Sequence, residues 1–495
     1  MSELFYAKKC EEIAYKIDNL ADNHDYKGLS TYLLQIETSA STNNSLEYAP
    51  IYYYLGTGTA TYADYLKDNN GSTVEINEQR KKTMFYFRKA MELFEGFEKD
   101  NVLVCSNLTN YANNLISCGR IIEALNIFRK TISIDSTFNM AIANYGRALG
   151  IYANLVNDSG HKNELHCYAY QTIKKALQSN KKNMHDGAIG FFNEIIIQYE
   201  NSPGIDFFSL PIVQKKFNIG RGEERAYRKW CLENHLFLNP LNDLIDEETS
   251  FAHDPLTIIK YTESITNNKE KSCGVEPPKW FAMLNQLKEE YAYSRYLCYE
   301  GITKDHDLHF ADKDVKLSLA SYDYVNYSMR LEQLRTAFKN LFSIFDQIAF
   351  FVNEFWSLGF NERNADAKHV FKSKNYPTDN IALTALYWIY SELVEKFGES
   401  ETPSEEKIKT LRNALEHKFV KIHEFDYDKT LEIKSDSFYH ISEADFKKLV
   451  IRLLELAREF IMELVYAVEI EEKKNENSEN SIGFTLREYD DSWKL

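Results

Sequence analysis

TPSEEKIKTLRNALEHKFVKIH, residues 402–423, is the stretch whose reading decides the fold. It opens as a helix should. Thr402 can cap, Pro403 suits the first turn, and Glu405 stands three residues past the cap, where it closes a capping box. Ile408, Leu411, Leu415, Phe419 and Ile422 recur at intervals of three and four, so the spacing predicts one apolar stripe along a helix running on to His423. At about 100° per residue, Arg412, Asn413, Glu416 and His417 then fall away from the stripe on one contiguous polar face.

The segments around this helix read as its packing partners. Upstream, Asn380 to Phe397 is strongly apolar and helical. Before it, residues 361–377 form a loop carrying Lys368, His369, Lys372 and Lys374, the best local basic patch near the polar face and a candidate for steering a phosphate backbone; an ordinary solvated loop is the other reading. Ser318 to Gly359 is a very long helical stretch, expected as two helices, with Phe338, Leu341, Phe342, Phe345, Ile348, Ala349 and Val352 on a broad apolar face. Asp346 lies among those core positions, where a buried carboxylate requires a basic partner; it reads equally as a helix-surface aspartate. Downstream, Glu424 to His440 is polar and partly β-branched, the pattern of a small hairpin. Ser442 caps a last long helix with Phe446, Leu449, Val450, Leu453, Leu454, Ala457, Phe460, Ile461 and Leu464 turned inward, and beyond Glu471 the tail EEKKNENSENS is expected to be disordered.

Arg412 to His417 has the form R-N-x-x-x-H and sits near the end of the third helix of a four- or five-helix bundle. In this it resembles the HEPN superfamily of small helical-bundle ribonucleases, whose signature is an Arg and a His four to six residues apart, often with a polar residue after the Arg. The resemblance implies that an acidic residue on an early helix faces the Arg/His pair, which makes Asp346 the candidate and Glu354 a second choice. Between residues 201 and 303 come YRKWCLENHLFLNPLNDL (227–244), FAHDPL (251–256) and FAMLNQLKEEYAYSRYLCYE (281–300), phrases that resemble one subgroup, the LA2681-like family, which joins N-terminal repeats to a C-terminal HEPN domain. Asn239, Asn242 and Asp243 read simply as turn formers around an Asn-Pro step.

The first two hundred residues have an internal period. In the clearest unit, Cys105 to Ser136, Leu108, Tyr111, Ala112 and Leu115 precede a turn at Gly119, followed by Ala124, Phe128 and Ile132. The next unit restarts in phase with Ile142, Tyr145, Gly146 and Leu149 and resumes, after an insertion at 157–163, with Ala169, Ile173 and Ala176. A looser copy precedes them with Tyr52, Leu55 and Gly56, an insertion from Asn69 to Glu75, then Thr83, Phe87 and Ala90, while the extreme N-terminus is helical but too degenerate to count. These units resemble the tetratricopeptide (TPR) repeat. Such a stack presents a concave surface to a protein partner or serves as a plain scaffold, and the general behaviour of solenoids favours the partner.

Composition narrows the functional classes. No apolar run among the 495 residues approaches the ~20 that a membrane-spanning helix needs, and the N-terminus MSELFYAKKC has no signal-peptide core. Seven scattered cysteines without a C-x-x-C pair indicate neither a zinc ribbon nor a disulfide framework, and suit a reducing cytoplasm. A formal net charge of −16 excludes a broad electrostatic grip on nucleic acid, so RNA must be met by a local basic site or through a partner. His306 and His309 lie among aspartates in DHDLHFADKD, but no glutamate base follows as in metalloproteases, and a solvated surface cluster is the better reading. No metal or cofactor is expected.

The expectation is therefore an all-α chain: TPR-like repeats over 1–200, a helical and loop connection over 201–310, an HEPN bundle over 311–472 and a largely disordered tail over 473–495. The resemblance implies metal-independent RNA cleavage to a 2′,3′-cyclic phosphate and a 5′-hydroxyl. His417 would move the proton, Arg412 would hold the charged phosphate, and Asn413, one turn earlier, would fix the imidazole or a phosphate oxygen. Residues five apart on a regular helix point about 140° from each other, so one motif does not converge on one phosphate unless the Arg arm wraps round. The family's answer is a homodimer with two motif helices in one cleft. Toxin or antiphage-defence roles are implied by the same resemblance. The alternative is an adaptor that binds a protein or nucleotide through its repeats and uses the bundle only to dimerise.

Overall fold

The computed structural model describes residues 2–40, 48–94, 101–179, 183–202, 218–245, 251–263, 279–304, 309–318, 325–394, 404–425, 437–476, 481–484 and 494. The chain divides into two compact units, Met1–Val213 and Gln214–Val394 with Ser404–Leu495. Both are built mainly of helices, and among the described residues no helix is long and apolar enough to cross a membrane.

The first unit holds α1 (Ser2–Asp22), α2 (Tyr26–Ala40), α3 (Ala49–Asp68), α4 (Thr73–Phe94), α5 (Asn101–Ser117), α6 (Ile121–Ile134), α7 (Asn139–Leu155), α8 (Ser159–Gln178) and α9 (Asp186–Glu200). Each helix packs on the next, and α1, α3, α5 and α7 also touch in succession, as in a stack of helix pairs. The periodic residues explain the spacing. Leu108, Tyr111, Ala112 and Leu115 are buried on α5, and their equivalents Ile142, Tyr145, Gly146 and Leu149 are buried on α7. Gly146 has no side chain because a Cβ there would stand 2.7 Å from Ile173 Cγ1 and 2.9 Å from the Ala169 carbonyl oxygen, both on α8. Gly119 turns α5 into α6 at φ 81°, a left-handed conformation that favours glycine.

The second unit is organised around α12 (Met329–Phe355) and α16 (Glu443–Glu476), with α10 (Gly222–Glu233), α11 (Lys279–Thr303), the one-turn α13 (Ala367–Val370), α14 (Ile381–Val394) and α15 (Ser404–His417). α11 packs on α12 and α16, and α14 and α15 complete the bundle. Phe345 of α12 and Phe460 of α16 meet in its middle, with ring centroids 4.6 Å apart. Of the stretch expected as two helices, Ser318 to Gly359, residues 319–324 lie outside the described residues, and the described part holds one helix, α12, whose start is set by Ser328 accepting the Leu331 N–H.

The residues read from sequence as a connection contribute one buried and one half-buried ion pair to this unit. The Asn-Pro step is a 3₁₀ turn, Pro240–Asp243, with the Asn239 side chain accepting the Leu241 N–H. Asp243 receives both ends of the Arg458 guanidinium at 2.8 and 3.0 Å, and Arg458 Nε also donates to the Phe237 carbonyl. Arg295 on α11 grips Asp254 in the same forked way at 2.9 and 2.7 Å.

Two expectations are corrected here, and a third falls mostly outside the described residues. The helix does not reach His423: α15 stops at His417, and Phe419–His423 is a strand, β2. Of the hairpin expected over Glu424–His440, residues 426–436 lie outside the described residues; its described end enters β3 (Phe438–Ser442), which pairs in parallel with β2, Phe419 opposite Phe438 and His423 opposite Ser442. Within the tail expected as disordered, α16 continues to Glu476 and Ser481–Phe484 forms an antiparallel strand against Lys260–Glu263. The cap assigned to Thr402 and Pro403 lies outside the described residues.

Candidate functional site

The motif helix α15 lies against α12, α14 and α16 through Ile408, Leu411 and Ala414, all buried. That packing turns Arg412, Asn413, Glu416 and His417 outward. Arg412 is half-buried, with its guanidinium 5.3 Å above the centre of the Phe342 ring of α12, a cation–π seat. Its Nη1 reaches Asn413 Oδ1 at 3.2 Å and Glu416 Oε2 at 2.9 Å, while Nε is buried without a hydrogen-bond partner. His417 is 71% exposed, and its Nε2 stands 3.7 Å from the same Glu416 Oε2.

The guanidinium thus bonds an oxygen that the imidazole approaches only to 3.7 Å, within a single protomer and despite their spacing. The long Arg412 arm folds along the helix to the residue four ahead, and His417 is the last helical residue, so its side chain sits where the backbone turns into β2. Glu416 was placed on this polar face from sequence but given no role in the site. Its signal was the Arg412-to-Glu416 interval of four, which predicts an ion pair on a helix face.

Asp346 lies on the α12 flank facing this cluster. Its Oδ1 accepts the Ala367 N–H at 3.1 Å, which ties the first turn of α13 to α12. Asp346 is exposed on the helix surface, as one of its two sequence readings had it, although surrounding protein takes part of the water from its carboxylate. That loss of water pushes its pKa up; the Ala367 N–H opposes, Asp366 raises it further, Arg412 lowers it and Glu416 raises it. Arg412 and Asp346 thus feel each other without a direct hydrogen bond between them. Glu354, the second choice, is engaged elsewhere, in an ion pair with Lys279 at 2.7 Å.

Lys368 on α13 and Lys372 and Lys374 just after it are exposed. Asp366 caps α13 through the His369 N–H at 3.0 Å and also holds His369 Nδ1 at 2.7 Å. The basic loop is thereby fixed to the same stretch of α12 that carries Asp346. His309 caps a short turn by accepting the Ala311 N–H at 3.2 Å, and His306 lies outside the described residues. Among the described residues no group of three or more His, Cys, Asp or Glu side chains is placed to hold a metal ion.

Residues 271–471 match the model of the LA2681-like HEPN family. This region is an LA2681-like HEPN domain. No curated protein and no solved structure matches the chain. The LA2681-like HEPN domain spans α11 to α16 and so contains the whole Arg412–His417 cluster, Asp346 and the α13 loop. Asp243 and Asp254, the partners of Arg458 and Arg295, lie before the matched region.

Proposed function

We infer that this chain is a cytoplasmic, metal-independent RNA endonuclease whose HEPN domain cuts at the Arg412–His417 cluster. The observation that supports the reading most is the convergence of Arg412 Nη1 and His417 Nε2 on one anionic oxygen, Glu416 Oε2. A phosphate oxygen of RNA can take the place of the Glu416 carboxylate against Arg412, with the His417 imidazole beside it. His417 removes the proton of a ribose 2′-hydroxyl, the 2′-oxygen attacks the adjacent phosphorus, and the 5′-oxygen leaves with a proton, giving a 2′,3′-cyclic phosphate and a 5′-hydroxyl. Arg412 holds the charge that builds on the phosphate, Asn413 steadies Arg412, and Asp346 fixes the α13 loop whose Lys368, Lys372 and Lys374 draw the backbone in.

One imidazole per protomer supplies either the base or the acid. A homodimer with two motif helices facing across a twofold axis supplies both, and the exposure of His417 leaves it open to such a mate. The N-terminal helix stack then serves as the seat of a protein partner that restrains or triggers cutting, in a toxin or antiphage-defence setting.

The purified chain should cleave mixed RNA in the presence of EDTA, and an Arg412→Ala, His417→Ala double variant should leave it intact. Expression should be toxic for the wild type alone. If both proteins leave RNA and cells equally unharmed, the nuclease reading fails and an adaptor that dimerises through the bundle replaces it.

A further inference from the structure

Immediately after His417 the chain does something unusual for a surface. Phe419 is 72% exposed and Phe438, its neighbour in the parallel pair, is 37% exposed, with ring centroids 5.9 Å apart. Both rings lie on one face of the two-stranded sheet, since paired residues in register share a face. The same face continues with Lys421, whose Nζ stands 4.5 Å over the Phe438 ring, and with His440, 6.3 Å from Phe438 by ring centroids. The other face packs inward through Ile422 and Ile441, both buried.

The platform is also held in place. Phe419 N–H donates to the Ser437 carbonyl at 3.1 Å, Arg335 of α12 donates to the Val420 carbonyl at 2.9 Å, and the Asn326 N–H donates to the Ile422 carbonyl at 2.8 Å. An exposed aromatic pair fixed this firmly is not explained by the core. Its electrostatic setting favours an anionic partner: Lys421 stands over the Phe438 ring and Lys418 is exposed beside Phe419, and the acids that flank β2 in the chain, Glu416 and Glu424, lie outside the strand. Two residues of chain place Phe419 at most about 7 Å from His417.

We propose that Phe419 and Phe438 form a stacking platform for an unpaired nucleobase of single-stranded RNA, set beside the phosphate site at His417. This rests on the nuclease reading for its biological sense but not for its test. Aromatic faces take any base, and lysine and histidine around them hold the backbone. The platform makes the substrate single-stranded or looped, because a base inside a duplex cannot present its face.

The test is fluorescence anisotropy of a short labelled single-stranded RNA with the full chain, in EDTA and in a His417→Ala background so that the probe survives. Phe419→Ala should weaken binding about tenfold to a hundredfold. Phe419→Trp should bind as the parent does and lose indole emission as RNA is added, a change that a purely structural role would not produce. Binding of a duplex of the same sequence should be insensitive to both variants.

Equal affinity for Phe419→Ala and its parent overturns the proposal, as does a parent with no measurable affinity at about 100 µM. Loss of self-association in sedimentation together with loss of binding also overturns it, making the aromatic pair a contact between copies. Intact RNA with wild-type protein would defeat the nuclease reading while leaving a positive stacking result in force.

Discussion

Glu443 shows how single side chains hold the frame of the site. It begins α16 and accepts from Arg330 at 2.7 Å, Asn326 at 2.9 Å and Lys447 at 3.1 Å. Burial works to raise its pKa, but the Arg330, Asn326 and Lys447 hydrogen bonds win and bring it down to about 2. A carboxylate depressed on folding stabilises the protein above its unfolded pKa, near 4.3, and that contribution disappears as pH falls through the folded value. Glu443→Gln should therefore cost about 2 kcal/mol at pH 7 and almost nothing near pH 2, as checked by urea unfolding at both. At this scale much of the candidate site was legible. The helix wheel placed Arg412, Asn413 and His417 on one face because α15 is regular up to His417. Glu416 was missed as a shared anion because a wheel gives directions, not the reach of a folded arginine.

Among the elements, the repeat helices could be read directly and the strands could not. Small residues at Gly56, Ala112 and Gly146 recur at equivalent places because neighbouring helices approach closely there; a Cβ on Gly56 would meet the Phe87 ring at 2.6 Å. Gly146→Ala forces Cβ against the backbone of Ala169 as well as against Ile173, and α8 must give way. The variant should lose about 1–3 kcal/mol despite the better helix propensity of alanine, a drop that a thermal melt would register. The β2 strand escaped because Phe419 and Ile422 continue the three-and-four spacing of α15, and five residues are too few to separate that period from alternation. Only the exposure of Phe419 shows that the stripe had ended. The parallel pairing of β2 with β3 was illegible for another reason: register across a gap depends on what the bundle buries, here Ile422 and Ile441.

For the second unit as a whole, the Asp243–Arg458 pair is the clearest case of distant sequence meeting in the core. Both side chains are almost wholly out of solvent. Arg458→Met should cost about 3–5 kcal/mol, since it takes the forked guanidinium contact from the buried Asp243 carboxylate; pairing it with Asp243→Leu should recover much of the loss. Denaturant midpoints of the single and double variants decide it. From the sequence Asp243 was only a turn residue, since nothing local marks an aspartate whose partner is two hundred positions away. The same clasp bears on anyone who wishes to isolate the nuclease candidate by itself. A fragment trimmed to residues 271–471 would strand Arg458 and Arg295 without Asp243 and Asp254, and would cut away both strands that pair Lys260–Glu263 with Ser481–Phe484. The smallest piece able to stand alone is thus wider than the stretch its kinship marks out, and inactivity in a narrower piece would report on folding before it reported on chemistry.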